Sequence, residues 1–395
     1  MEQTWRWFGP DDAVELRHIV QAGATGVVTA LHQIPYGEVW TPEEIRRRKA
    51  LVENPALGLR WSVVESLPIH ERIKLGDGDL APLLDNYRAS LRNLAAEGIS
   101  VVCYNFMPIL DWTRTQLHAP LPGGGTALRF NIHEYVAFDL HILKRPGAEK
   151  GHSPEVLARA AEWFARSSET DRDGLLTNIM AGLPGAYDRY DVPQLRAMLE
   201  RYDEVSREDL KANYKHFLEE IIPTAEECGL RLCVHPDDPP RSLFGLDRIV
   251  SNAEDIAFIL GCVPSPSNGL TLCSGSLGAN PANDVPAIAA RFADKIHFAH
   301  LRNVRKDADG SFMEADHLGG DTDMVKLVRT LMAEERRRKA EGRADWEIPM
   351  RPDHGHELID DAGRKTHPGY PIIGRLRGLA ELRGVMAAID QLEGA

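Results

Sequence analysis

Four residues with metal-binding side chains, His235, Cys273, His300 and Asp353, each close a short apolar run: "RLCVHP", "LTLCSG", "IHFAHL" and "EIPMRPD". Two imidazoles, a thiol and a carboxylate make a mixed nitrogen, sulfur and oxygen donor set. Such a set suits Zn2+, Fe2+ or Mn2+ and does not suit the all-oxygen cages of Ca2+ or Mg2+. A single buried Cys is more often packing than chemistry, and so is a single His. Four such residues at equivalent positions of consecutive β-like runs form a pattern that chance seldom produces. A five- or six-coordinate ion held by them would keep positions for substrate oxygens, and the cation itself would hold Cys273 as thiolate.

Strand alternation tests the pattern, because successive side chains point to opposite faces. Cys233 and His235 share a face, and Leu232 and Val234 share the other. His300 shares its face with Phe298, whereas His297 points away and is expected to pack or hydrogen-bond among surrounding helices. In "MRPDHGH" (residues 350–356), alternation separates Asp353 from His354, so the adjacent pair need not do one job. His354 would then be free in the first turn of the following loop, and His356 has no assigned role.

These residues have to be brought together by the elements that carry them. Eight β-branched or apolar runs are visible, at residues 5–9, 26–31, 61–66, 100–106, 231–236, 270–275, 296–301 and 347–353. Amphipathic stretches with helix signals fill most of the gaps. "DDAVELRHIVQAG" opens on an Asp cap and ends at Gly23; "SREDLKANYKHFLEEIIPTAEECG" runs from a Ser cap with acids in its first turn to Gly229. Eight strand–helix units imply an α/β fold, a (β/α)8 TIM barrel, in which all strand C-termini meet at one mouth. The runner-up, a doubly wound sheet, should carry a Gly-rich turn after an early strand. The only Gly cluster, "PGGGTA", follows no apolar strand and reads as a flexible loop. Residues 1–395 are therefore expected to form a single barrel domain. The interval at about 117–205 is too long for a simple loop; its patterns predict a helical insertion after the fourth strand, serving as a lid or an oligomer contact.

Composition bounds the function. The net charge of −13 argues against nucleic-acid or membrane-surface partners, which need clustered cations. The basic runs at 46–49 and 336–339 lie in Glu-rich helical stretches and read as solvated faces. No apolar run of about 18 residues suggests a membrane span, and the first ten residues lack a secretory pattern. Five cysteines, Cys103, Cys228, Cys233, Cys262 and Cys273, form no CxxC pair, which fits reduced thiols and a cytoplasmic protein.

Other polar residues near strand ends would line the mouth: His32, Glu65, Asn105 and Arg302, with Arg6 on the first strand between two Trp. Arg114, in "DWTRT", is offered for a substrate carboxylate. Each of these is as readily a structural partner as a substrate contact.

The segments "TWRWFGPDD", "GATGVVTALHQIPYGEVW", "VVCYNFMPILDWTRT", "CVHPDDPP", "LCSGSLG", "HLRNV" and "RPDHGH" together strongly resemble the mannonate dehydratase family of hexuronate degradation. With "HPGYPIIG", the resemblance extends from residue 4 to residue 370. It implies a metal-centred barrel of the xylose-isomerase type, distinct from the enolase-like dehydratases. It also implies Mn2+ or Fe2+ as cofactor, no organic cofactor, and conversion of D-mannonate to 2-keto-3-deoxy-D-gluconate. By motif match His235, Cys273, His300 and Asp353 would be the metal ligands. His354 and Tyr370 would be the acid/base residues, with Asp353 mainly a ligand at the same catalytic centre. The alternatives are a metal-dependent sugar isomerase on a related barrel, whose sites are usually richer in carboxylates, and a sugar-acid-binding protein without activity. A homo-oligomer is compatible with all three.

Overall fold

The apolar runs pair in parallel and close on themselves. The computed structural model describes residues 1–182 and 190–393, so residues 183–189 of the long interval lie outside the described residues. The strands in chain order are β1 (Glu2–Arg6), β2 (Gly26–Thr29), β3 (Arg60–Glu65), β4 (Val101–Tyr104), β5 (Gln116–Pro120), β6 (Thr126–Phe130), β7 (Arg231–Val234), β8 (Asn268–Cys273), β9 (Ile296–His300), β10 (Asn303–Lys306), β11 (Phe312–Ala315) and β12 (Pro349–Arg351). Eight of them form the closed barrel β1-β12-β9-β8-β7-β4-β3-β2, the TIM-barrel order expected from the strand–helix alternation. Barrel strands are buried on both faces, which is why these runs are rich in apolar residues on both sides of the pleat.

The two faces are chemically distinct. Val28, Val63, Val101, Cys103, Cys233 and Phe298 form one cluster inside the barrel. Leu232, Val234, Leu270 and Leu272 belong to the larger core against the helices. The alternation read in β7 and β9 therefore holds. His297 faces outward, fully buried and with neither ring nitrogen hydrogen-bonded, and an added Cβ at Gly269 would strike its ring. It is packed, not hydrogen-bonded. Burial, with Arg231 and Arg338 nearby, lowers its pKa to about 3 and keeps it neutral.

Three expectations are corrected. The first strand runs three residues earlier than its apolar run suggests. Thr4, Trp5 and Arg6 pair with Gly26, Val27 and Val28, while Phe8 and Val14 donate their backbone N–H groups to Asp12. Asp12 thus shapes a turn instead of capping the helix, which starts only at Leu16. The segment after β4 opens with strands, not a helix. β5 and β6 form an antiparallel hairpin whose turn is the Gly cluster, with Gly124 and Gly125 in the left-handed region. The helical turns Ile132–Ala137 and Phe138–Leu143 and helix Pro154–Arg166 then follow where "NIHEYVAFDLHIL" and "SPEVLARAAEWFARS" suggest them, and helices Glu169–Ile179 and Val192–Glu200 join them. The third correction is a second sheet with order β10-β11-β6-β5, which joins this hairpin to two strands after β9. Its strands are short and polar on one face, so they lack the apolar signature that marks the barrel.

The loop after β12 carries "DHGH" and Tyr370 and is pinned to the last helix. Asp361, buried, accepts the backbone N–H groups of Ile372, Ile373 and Gly374 at the start of helix Ile372–Glu393. Charged hydrogen bonds of this kind contribute about 1.5–3 kcal/mol each to stability. Asp361→Ala should lower the stability of the protein by roughly 2 kcal/mol or more, read as a lower urea midpoint; an unchanged midpoint would show that the cap is dispensable.

Candidate active site at the barrel mouth

Three of the four strand-end donors converge. The ligand atoms of His235, Cys273 and His300 lie within 4.8 Å of one another. Donors about 2.0–2.3 Å from a common ion are at most about 4.6 Å apart, so any pair at the 4.8 Å limit would have to close slightly around a single metal. His235 Nε2 and His300 Nδ1 face each other at 3.1 Å. Their outer nitrogens have other partners. His235 Nδ1 donates to the Pro236 carbonyl at 2.7 Å, and His300 Nε2 faces Glu65 Oε1 at 3.4 Å. Each ring is thereby held with one nitrogen turned toward the other donors, the arrangement that second partners impose on metal-binding histidines.

Cys273 ends β8 and caps the short turn Ser274–Gly278, receiving Ser276 Oγ at 3.1 Å. Burial opposes a thiolate there, but Arg302 and His235 outweigh it and hold the thiol well below its usual value. The reciprocal effect appears at His235, where burial is overcome by Cys273 and the pKa rises to about 9. The pocket therefore favours a negative sulfur beside positive charge.

Asp353 joins the group from β12. Its backbone is left-handed (φ 62°), a conformation that Asp tolerates better than most residues. The strand has ended at Arg351, so the alternation that would have separated Asp353 from His354 does not apply; both line the same small cavity. Asp353 Oδ2 lies 3.7 Å from Cys273 Sγ, 3.8 Å from His300 Nδ1 and 2.7 Å from Arg302 Nε. Oδ1 meets Arg351 in a short ion pair and accepts Tyr370 Oη at 3.4 Å. Burial resists ionisation, but Arg351 and its neighbours hold this carboxyl well below the usual range.

His354 is not free in its loop. Its Nδ1 lies 3.0 Å from Glu314 Oε1, and its ring meets Tyr370 edge-on at 5.0 Å and Trp112 at 5.9 Å. Tyr370 is buried, and burial pushes its phenol up, so it carries its proton. His356, without a role in the sequence, donates through Nε2 to the Glu314 carbonyl at 3.0 Å.

The residues proposed for substrate contact divide. Asn105 and Arg302 line the cavity, as does Glu65. Arg6, His32 and Arg114 do not. Arg6 NH2 is hydrogen-bonded to His32 Nε2 at 3.0 Å, and burial with Arg6 beside it lowers the His32 pKa, which keeps that imidazole neutral. Arg114 is fully buried with Asp238 at 2.7 Å and Glu314 at 2.9 Å, so its charge is already satisfied by protein carboxylates. Sequence reading missed Asp238, Glu314 and Arg351. Arg351 was accessible by alternation, two residues before Asp353 on the inner face. Asp238 sits in the quoted "CVHPDDPP". Glu314 had no signal, because the sheet that delivers it had none.

An eight-stranded parallel barrel with imidazole, thiol and carboxylate donors beside a His–Tyr pair at its mouth has the layout of a barrel enzyme, whose active site sits at the C-terminal ends of the strands. The profile of the D-mannonate dehydratase (UxuA) family matches residues 1–394. The chain belongs to that family, which is one of hydro-lyases. It is 54% identical over 393 residues to the mannonate dehydratase of Chromohalobacter salexigens, covering 99% of this chain and 100% of that one. It is 52% identical to that of Rhizobium meliloti, covering 99% and 97%. A crystal structure of mannonate dehydratase from Streptococcus suis serotype 2 superposes with a TM-score of 0.78 at 36% identity, covering 100% of this chain and 95% of that one.

If the donor cluster binds a divalent ion, Cys273→Ser should reduce copurifying metal at least about tenfold while circular dichroism stays unchanged. Undiminished metal by elemental analysis would remove Cys273 from the ligand set.

Proposed function

We propose that the chain removes water from D-mannonate to give 2-keto-3-deoxy-D-gluconate, as a step in hexuronate breakdown. The observation that carries this reading is the convergence of His235, Cys273, His300 and Asp353 within reach of His354 and Tyr370. We read the first four as ligands of one Mn2+ or Fe2+ ion; the mixed donor set fits either.

The reaction needs two proton transfers. The hydrogen at C2, beside the carboxylate, is only weakly acidic, and the C3 hydroxyl is a poor leaving group. Removing the first builds enolate-like charge, and expelling the second needs a general acid. Bound, the ion would supply positive charge that polarises the substrate carboxylate and an adjacent hydroxyl. Everything else falls to side chains. Asn105 and Arg302 lie on the cavity wall, Arg302 as a fixed positive charge held by Asp238, Glu314 and Asp353, and Glu65, ionised next to Arg351, faces His300. His354 and Tyr370 sit on the same wall and divide the proton transfers. The C2–H and C3–O bonds break, a C2–C3 double bond forms, and the resulting enol takes a proton at C3 as its hydroxyl becomes the ketone. No organic cofactor is required.

Incubation with Mn2+ and D-mannonate should release a 2-keto acid, and a chelator should stop it. Formation of an isomeric sugar acid instead would favour the isomerase reading, and binding without turnover would favour the non-catalytic one. His354→Asn should retain metal and lose turnover by a factor on the order of 10² or more; near-normal turnover would exclude His354 from the chemistry.

A further inference from the structure

We infer that Glu314 is a positioning residue for His354: its carboxylate accepts the Nδ1–H and thereby presents the Nε2 lone pair to the cavity. The inference rests on the reading of His354 as a proton-transfer residue and deepens it. Glu314 does not belong to the barrel. It lies on β11 and reaches the mouth because β11 pairs with β6 and β10 in the second sheet. Its Oε1 takes three donors, His354 Nδ1 at 3.0 Å, Arg114 NH2 at 2.9 Å and Arg302 NH1 at 2.5 Å. The loop after β12 is strapped to it twice, by His354 to the side chain and by His356 to the carbonyl.

A carboxylate among arginines is an acceptor only, and a neutral imidazole has one N–H. The proton therefore sits on Nδ1 and the lone pair on Nε2, the logic of the carboxylate-oriented histidine in hydrolytic triads. Held this way, the His354 ring is fixed in one orientation, and the Tyr370 hydroxyl beside it donates to Asp353. Charge pairing alone does not account for Glu314. Arg114 and Arg302 both have Asp238 as another acceptor, whereas among the described residues His354 Nδ1 has only Glu314.

The test is a double-mutant cycle on the Mn2+-loaded enzyme. Glu314→Leu should lower kcat about tenfold or more, up to the ~10²–10⁴ that a proton-transferring side chain contributes, with KM little changed. Glu314→Gln keeps an oxygen acceptor and should recover most of that loss. In a His354→Asn background, Glu314→Leu should change kcat by less than about twofold, because the two residues act as a unit. A loss in that background as large as in the wild type overturns the inference, as does wild-type kcat in the single variant. Should the Leu variant not fold, 15N-histidine NMR of the wild-type protein loaded with diamagnetic Zn2+ decides. An Nδ1–H tautomer at His354 supports the inference, and an Nε2–H tautomer overturns it. A wild type that does not turn over D-mannonate would instead sink the functional reading, and the NMR result would still stand on its own.

Discussion

Buried charge at the barrel mouth is the constraint on which the rest of the structure depends. Arg114, Arg302 and Arg351 lie there with Glu65, Asp238, Glu314 and Asp353, all 5% exposed or less. Each buried ion left without a partner costs several kcal/mol, so none of these groups is tolerable unless the others are in place. They come from β3, β11 and β12 and from the segments after β4, β7, β9 and β12. The network therefore ties barrel, second sheet and C-terminal loop into one unit. Asp238 illustrates the balance: burial raises its pKa, yet Arg114 and Arg302 bring it down to about 2. Glu314 is held low by Arg302 and His354 against the same burial.

This network also sets the electrostatics of the donor cluster. Arg302 touches Asp353, Asp238 and Glu314 and stabilises the Cys273 thiolate from a distance. Arg351 bridges Glu65, which faces His300, to Asp353, which faces both His300 and Cys273. A change at one carboxylate is thus felt at the donors through one shared arginine. The second sheet acquires a chemical role by the same route, since its strand β11 supplies the acceptor for His354. Antiparallel strands added at the mouth of a barrel are positioned to do this, because the mouth is where all strand C-termini already meet.

How much of this was readable in advance depended on periodicity. The barrel strands lie on or beside runs rich in apolar residues, and seven begin and end within a few residues of where those runs lie; β1 is displaced toward the N-terminus. The donors His235, Cys273, His300 and Asp353 were legible because each ends such a run, and position along a strand translates directly into position around a closed barrel. The long helix Arg207–Glu227 was legible from its Ser206 cap and the acids of its first turn. The hairpin β5–β6 and strands β10–β11 were not, because short strands with polar faces carry no periodic signal that separates them from loop.

Local sequence, then, determined the barrel, the order of its strands and the residue types at their ends, since burial on both faces demands apolar runs and only their tips can be polar. Tertiary structure decided which polar tips face one another. Arg114, offered for substrate, is consumed by Asp238 and Glu314, partners 124 and 200 residues away. His354, expected to be free, is held by a residue 40 positions upstream. The left-handed backbone at Asp353 turns neighbours that alternation would separate into one cavity wall. Long-range pairing of buried charge has no local pattern, because it is selected by the cost of leaving each ion unpaired once the fold has closed.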